Sequence, residues 1–248
     1  MNKILQLVAI ALALIPMSRS AVATSDSERS IRQVQFAKGS TTTVIKGNVK
    51  GYNYVDYQLR ASAGQTLRVN MQVSNLANNF NVNPPDSGDV SMFIGGGSGK
   101  VFEGVLPADG TYVIRVYLMR SAARRREDSD YSLLISIEGK PLKPIQGKID
   151  ARIPGTPYHA ESTIRCAPAY SKVRECPAYV IRRSFDGTAT VDIRWDNDLK
   201  RRILFIKGKP EVADVPTPFT YTKKGDQYII EFGPDEYFEI PDALIFGG

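Results

Sequence analysis

Apolar and polar residues alternate along much of the first half of the chain. In residues 54–60, Val55, Tyr57 and Leu59 occupy every second position, and polar residues lie between them. The same pattern recurs in residues 67–73, 112–118 and 131–137. Because successive side chains of a strand point to opposite faces of a sheet, each segment predicts a half-buried antiparallel strand. We expect an all-β protein that begins with an antiparallel β-sandwich or jelly roll.

A different composition interrupts this alternation at residues 76–98, where Asn, Pro, Gly and Asp dominate. The stretch predicts one short strand at about residues 90–94 and a long loop elsewhere. Long loops are either functional or disordered, so this segment is a candidate edge of a binding surface.

The second half of the chain alternates again. Its clearest strand carries apolar residues at every second position, namely Ala189, Val191, Ile193 and Trp195. Asp186-Gly187 and Gly225-Asp226 predict hairpin turns between strands. The apolar tail at residues 237–246 is expected to dock on the protein. These features predict a second small β domain.

The N-terminus determines the expected compartment. A short basic segment, an apolar run at residues 4–15 and Pro16 precede Ala21-Val22-Ala23. This order is typical of a secretory signal peptide over residues 1–23, cleaved after Ala23, and it indicates a bacterial periplasm. The alternative is an uncleaved anchor, but the run is shorter than the about 20 residues that span a bilayer. No other segment predicts a membrane span.

The remaining chain divides at a proline-containing stretch without apolar periodicity. We predict an N-terminal tail at residues 24–32, a β-sandwich at residues 33–138, a linker at residues 139–155 and the second β domain at residues 156–248. The role of that second domain is not indicated by any motif.

Cys166 and Cys176 are the only cysteines. In an oxidising compartment they predict a disulfide. The alternative, free thiols or half of a metal site, is disfavoured because their spacing does not suit a zinc knuckle and His159 is the only histidine. We therefore expect no metal and no cofactor.

The residues for catalysis are not assembled in any known pattern. No G-x-S-x-G motif accompanies His159. The run Gly95-Gly96-Gly97-Ser98-Gly99-Lys100 superficially suggests a phosphate-binding loop, but no strand-to-helix context surrounds it, so Lys100 is expected to be a solvated loop lysine. We predict that the protein is not an enzyme; a hydrolase that uses His159 is the alternative.

Basic residues are modestly in excess, with a net charge of +6. Such a balance suits an acidic partner and does not indicate nucleic acid. The sharpest feature is the run Arg124-Arg125-Arg126, with Arg120 before it and the acidic residues 127–130 after it. The alternative interpretation is a solvated loop whose charges neutralise one another.

Three stretches of the first half carry a family resemblance. They are Val34-Gln35-Phe36-Ala37-Lys38-Gly39, then Lys50-Gly51-Tyr52-Asn53-Tyr54 followed by the alternating strand and Ala63-Gly64-Gln65, and then Leu106-Pro107-Ala108-Asp109-Gly110-Thr111-Tyr112-Val113-Ile114-Arg115-Val116 with Arg120-Ser121-Ala122-Ala123-Arg124. In order and spacing, residues 33–138 resemble the periplasmic inhibitors of g-type lysozyme. The Leu-Pro-x-x-Gly-x-Tyr-x-x-Arg-Val element is also similar to pre-peptidase C-terminal β-sandwich modules, so the Lys-Gly-Tyr-x-Tyr and Arg-x-x-Ala-Arg elements are the more specific.

The resemblance implies a function that needs no catalysis. It implies that Arg120 and Arg124 enter the acidic cleft of a g-type lysozyme, and that Tyr52 or its neighbour Tyr54 is an aromatic anchor from a facing loop. Arginine suits this role because its planar guanidinium can form two hydrogen bonds with one carboxylate. The alternative is a β-sandwich that binds envelope polysaccharide or an envelope protein without inhibiting any enzyme.

Overall fold

The computed structural model describes residues 28–88, 90–196 and 199–247. The predicted signal peptide and its cleavage site lie outside the described residues. The strands are β1 (Arg29–Gln33), β2 (Thr42–Lys50), β3 (Tyr54–Ala61), β4 (Thr66–Val73), β5 (Asn78–Asn83), β6 (Phe93–Ile94), β7 (Val101–Val105), β8 (Gly110–Leu118), β9 (Asp128–Glu138), β10 (Ala160–Ala167), β11 (Arg174–Ser184), β12 (Thr188–Trp195), β13 (Leu199–Ile206), β14 (Lys209–Ala213), β15 (Phe219–Lys224), β16 (Gln227–Phe232) and β17 (Glu236–Pro241). The helices are short: α1 (Gly95–Ser98), α2 (Arg120–Arg124) and α3 (Asp242–Phe246). The predicted all-β class is confirmed.

Two sheets form a sandwich in the first half. A five-stranded sheet has the order β1-β3-β8-β5-β6, and a four-stranded sheet has the order β2-β9-β4-β7. The alternating residues of the sequence meet between the sheets, where Tyr57, Leu67, Ile114 and Leu133 are buried in one cluster. Burying such a face in a partner sheet is what stabilises an antiparallel sandwich.

The prediction for residues 76–98 was wrong in part. Residues 78–83 are not loop but the strand β5, which lies between β8 and β6. The asparagines of this segment have low β propensity, but Phe80 and Val82 alternate into the core and are fully buried. Pairing with β8 and burial therefore outweigh the local preference.

The expected N-terminal tail at residues 24–32 also contains a strand. β1 pairs with β3 in parallel, an exception to the antiparallel pattern. Its Arg29 Nε lies 2.7 Å from Asp56 Oδ2. Sequence periodicity does not reveal this strand because it lies at the sheet edge, and all of its side chains except the half-buried Ser30 are exposed.

The second half is built on one eight-stranded sheet with the order β14-β13-β12-β11-β10-β17-β16-β15. Both predicted hairpins are present, as β11–β12 and β15–β16. The sheet curls, since the rings of Phe205 on β13 and Tyr228 on β16 lie 5.4 Å apart although their strands are not neighbours. The apolar tail is docked: Leu244 and Ile245 of α3 are buried in this cluster.

Residues 139–159 connect the two halves without a strand or helix. Leu142 donates its N–H to Ala63, and Arg183 of β11 donates both to the Leu142 carbonyl and to Asp109 Oδ2, at 2.5 and 2.9 Å. Arg202 of β13 donates to the Pro85 carbonyl. The eight-stranded sheet therefore contacts the end of the sandwich that carries the turns at residues 62–65, 84–88 and 106–109, called here the far end. The exact domain boundaries stay a prediction.

The predicted disulfide joins Cys166 of β10 to Cys176 of β11, with 6.0 Å between the Cα atoms. Both cysteines are buried. Replacing both with alanine is expected to lower the free energy of unfolding by about 2.5–3 kcal/mol, because the cross-link restricts the unfolded chain. Urea denaturation measures the change, with the reduced wild-type protein as control. An unchanged unfolding midpoint would contradict this account.

Candidate functional site

Four connections converge at the other end of the sandwich, called here the loop end. They are residues 51–53, 74–77, 95–100 and 119–127. Each joins strands that finish and start at this end, so the tertiary fold brings distant parts of the sequence together. The loop end lies opposite the far end, and the eight-stranded sheet leaves it open.

The loop that carries Tyr52 is fixed against the loop that carries the arginines. Gly51 has φ +57°, a left-handed conformation that favours glycine. Its N–H donates to the Glu127 carbonyl at 2.8 Å, and a Cβ there would lie 3.8 Å from the Ala123 carbonyl oxygen. The Asn53 N–H closes the turn on the Lys50 carbonyl at 3.1 Å. Tyr52 is thus exposed on a short, tied turn next to α2.

The helix α2 presents its arginines outward. Ala122 and Ala123 are buried against the sandwich, and Arg120 and Arg124 are exposed. Within the described part of the chain, neither of these two guanidinium groups has a hydrogen-bond or ion-pair partner. Two unpaired arginines on one helical turn are available to bind an external carboxylate.

The acidic segment at residues 127–130 forms an ion pair with one arginine of the run, Arg125. Glu127 Oε1 accepts from Arg125 Nε at 2.6 Å, and Glu127 Oε2 accepts from Asn75 at 2.8 Å. These hydrogen bonds, first that from Asn75, lower the pKa of Glu127. Asp128 and Asp130 instead accept from Asn48, at 3.4 and 2.8 Å. The interpretation of the run as a self-neutralising loop therefore holds for Arg125 and not for Arg120 or Arg124.

A depression of about 450 Å³ opens beside Tyr52. Its lining residues are Tyr52, Asn53, Tyr54, Arg115, Tyr117, Leu118 and Arg120. Tyr52 and Arg120 form part of its rim, whereas Arg124 does not line it. The structure thus places the four residues predicted to bind a partner at one end of the sandwich; their role stays a prediction.

The floor of the depression is built on a buried carboxylate. Asp56 is fully buried and holds Arg115, whose Nε lies 2.8 Å from Asp56 Oδ1. The Arg115 guanidinium lies 4.7 Å from the centroid of the Tyr54 ring. Tyr54 is consequently half-buried and held in place, so Tyr52 is the more accessible of the two tyrosines.

The sequence analysis did not place Arg115 or Tyr117 at the binding site, although Arg115 belongs to the Leu-Pro-x-x-Gly-x-Tyr-x-x-Arg-Val element. Both lie on β8 at positions facing away from the core, directly opposite Asp56 and Tyr54 of β3. The Tyr117 hydroxyl donates to Asn81 Oδ1 at 3.1 Å, and burial raises its pKa. The alternation of β8 marked both residues as outward-facing, but only the register shows which residues they meet.

Lys100 corrects another prediction. It is not a solvated loop lysine but half-buried, and its Nζ donates to the Leu76 carbonyl at 3.2 Å, to Asn79 Oδ1 at 2.5 Å and to the Asn78 carbonyl. Burial lowers its pKa. The lysine therefore ties the glycine run to the loop at residues 74–77.

His159 has a structural environment. It is buried, its Nδ1 accepts from the Arg182 N–H at 3.0 Å, and its Nε2 lies 2.9 Å from the Ile145 carbonyl oxygen. This geometry corresponds to a neutral imidazole that donates from Nε2, and it joins the connecting segment to β11.

Over the described ranges, no helix is long and apolar enough to cross a membrane.

The fold and the loop end define a class of protein, a β-sandwich that presents tyrosine and arginine loops at one end. No family model matches the chain. An inhibitor of g-type lysozyme from Escherichia coli (strain K12) is 33% identical over 110 residues, which are 42% of this chain and 79% of that protein. The chain belongs to the family of that inhibitor.

Solved structures of similar proteins cover the same share of the chain. The crystal structure of Aeromonas hydrophila PliG, a periplasmic inhibitor of g-type lysozyme, is 39% identical, covers 45% of this chain and 99% of its own, and has a TM-score of 0.42. Salmonella Typhimurium PliG is 30% identical, covers 44% of this chain and 98% of its own, and has a TM-score of 0.36.

Proposed function

We propose that this protein inhibits g-type lysozyme in the bacterial periplasm. The observation that carries the proposal is the pair of exposed arginines, Arg120 and Arg124, held without partners in the described structure beside the depression at Tyr52. The family relationship indicates g-type lysozyme as the partner. The loop end is accessible to that partner because the eight-stranded sheet contacts the far end.

The physical mechanism is occlusion. A glycosidase cleft carries carboxylic acids that act on the glycosidic bond. A guanidinium that enters the cleft pairs with a carboxylate through charge-assisted hydrogen bonds, which are the stronger kind. Tyr52 adds a rigid aromatic surface where a sugar ring would otherwise lie. No bond is made or broken by the inhibitor.

Two further assignments belong to the proposal. Residues 1–23 direct export and are cleaved after Ala23. Residues 33–138 form the inhibitory domain, and residues 156–248 form a second domain that holds it from the far end. Arg183, Thr190 and Arg202 of the eight-stranded sheet donate hydrogen bonds to Asp109, Pro107 and Pro85 of the sandwich.

The test is a titration of muramidase activity. The protein comprising residues 24–248 is added to g-type, c-type and i-type lysozymes acting on cell-wall substrate, beside an Arg120→Ala/Arg124→Ala variant. We expect selective inhibition of the g-type enzyme and its loss in the variant. If no lysozyme is inhibited at micromolar protein, the proposal fails, and an envelope polysaccharide or envelope protein becomes the ligand to test.

A further inference from the structure

An exposed apolar patch adjoins the depression on the side of β5 and β6. It consists of Leu76, Ile94, Gly96, Gly97 and Met119, and is called here the apolar patch. Leu76 is 85% exposed, an unusual state for so large an apolar side chain, and Ile94 and Met119 are 45% and 40% exposed. Exposed apolar residues scattered singly are ordinary, but a contiguous group marks an interaction site.

Several contacts bring together the segments that carry these residues. A Cβ built at Gly96 would lie 3.3 Å from Met119 Sδ. The Met119 N–H donates to the Ala77 carbonyl at 2.8 Å, which places Met119 beside the loop of Leu76. Lys100 Nζ binds the Leu76 carbonyl from the other side. The patch is therefore held by the fold and does not depend on a mobile tip.

The glycines of the patch keep its surface free of side chains. A Cβ at Gly95 would overlap the Phe80 carbonyl oxygen, so the turn packs directly on β5. A Cβ at Gly97 would have no neighbouring atom within 4 Å and would lie in open space. A turn of bare backbone between two exposed apolar side chains allows a flat partner surface to approach closely.

The patch is continuous with the depression through Tyr117. This tyrosine lines the depression, and its hydroxyl would lie 3.6 Å from a Cβ at Gly96. Arg120 likewise follows Met119 directly in the chain. A single surface thus runs from Tyr52 across the ends of β3, β8 and β5 to Leu76.

Interface size requires such an extension. A stable protein–protein interface takes about 20–30 residues a side, far more than line the depression. In the direction of β2, the end carries the exposed carboxylates of Asp128 and Asp130, which repel an acidic cleft. In the direction of β5 and β6 it carries the apolar patch.

We propose that the apolar patch is the second half of the inhibitory surface, and that it packs against the apolar wall of the g-type lysozyme cleft beside the carboxylates that the arginines bind. The inference rests on the proposed function. Apolar contact of this kind excludes water from the arginine–carboxylate pairs, as the surroundings of interface hot spots do.

The test compares substitutions at exposed positions, which are expected to leave the fold intact. Leu76→Asp removes the apolar side chain, and Gly97→Glu adds a side chain in open space. Val44→Asp is the matched control, since Val44 is 57% exposed on β2, at a distance from the loop end. The inhibition constant for g-type lysozyme is measured for each, beside the Arg120→Ala/Arg124→Ala variant, and circular dichroism confirms that each is folded.

We expect Leu76→Asp and Gly97→Glu each to raise the inhibition constant at least about tenfold, with Val44→Asp unchanged. If the arginine variant loses inhibition while Leu76→Asp and Gly97→Glu stay within about twofold of wild type, the patch is overturned and the proposed function stands. If wild type does not inhibit, both are overturned.

Discussion

Reversing the charge of both unpaired arginines, in an Arg120→Glu/Arg124→Glu variant, is expected to raise the inhibition constant for g-type lysozyme by about a thousandfold or more. The wild-type guanidinium groups are exposed and without partners in the described structure, so no hydrogen bond or ion pair among the described residues has to break before they bind carboxylates. Glutamates at these positions replace that attraction with repulsion between like charges. The measurement is the inhibition constant in muramidase assays.

The control for this prediction is Arg60→Glu. Arg60 is an exposed arginine of β3, paired in register with Thr111 near the far end of the sandwich. Arg60→Glu changes the net charge as much as either Arg120→Glu or Arg124→Glu alone does. The comparison therefore separates local contact from general electrostatic attraction between the proteins. A comparable loss of inhibition in Arg60→Glu would show that overall charge, and not these two side chains, accounts for binding.

Replacing Arg201 with methionine is expected to lower the free energy of unfolding by about 3–5 kcal/mol, the effect of removing one partner of a buried ion pair. Arg201 of β13 is buried with two carboxylates: its Nε lies 2.7 Å from Glu236 Oε1 and its Nη1 lies 3.4 Å from Asp214 Oδ1. Burial already raises the pKa of Asp214. Without the guanidinium, the Glu236 carboxylate loses its charged partner in the interior of the eight-stranded sheet, and Asp214 keeps the hydrogen bond from the Arg202 N–H.

Arg165→Met is the matched control for this stability prediction. The Arg165 guanidinium lies 3.5 Å from Glu239 and its side chain is 62% exposed. A solvent-exposed pair of this kind contributes about 0–1 kcal/mol. Urea denaturation of both variants gives the two changes in the free energy of unfolding. Equal and small changes would contradict the prediction, because they would mean that water compensates the carboxylates of Glu236 and Asp214 when Arg201 is replaced.

The strands whose residues alternate can be predicted without the structure. The alternation in residues 54–60, 67–73 and 131–137 predicts half-buried strands, and Tyr57, Leu67 and Leu133 of these segments are buried in the sandwich. The docked tail and the disulfide of the second half were also predictable, because they depend on local composition and on residue type. Such features require no knowledge of which strand pairs with which.

The candidate binding residues were predicted through a different route. Arg120, Arg124, Tyr52 and Tyr54 came from a resemblance in motif order, and physical pattern alone would have left the arginine run as a solvated loop. The structure adds that Glu127 is engaged by Arg125 and Asn75, which leaves Arg120 and Arg124 free of it. That distinction depends on side-chain positions that the sequence does not encode locally.

The contacts between residues that are distant in the chain are set by the folded structure. Asp56 and Arg115 are 59 positions apart and are joined by the register of β3 and β8. β5 exists because Phe80 and Val82 are buried beside β8, although asparagine-rich sequence disfavours a strand. Lys100 is half-buried and donates to the carbonyl groups of Leu76 and Asn78, which lie more than twenty residues away in the chain. The common physical reason is that alternation is set by neighbours along the chain, whereas register and burial are set by contacts across it.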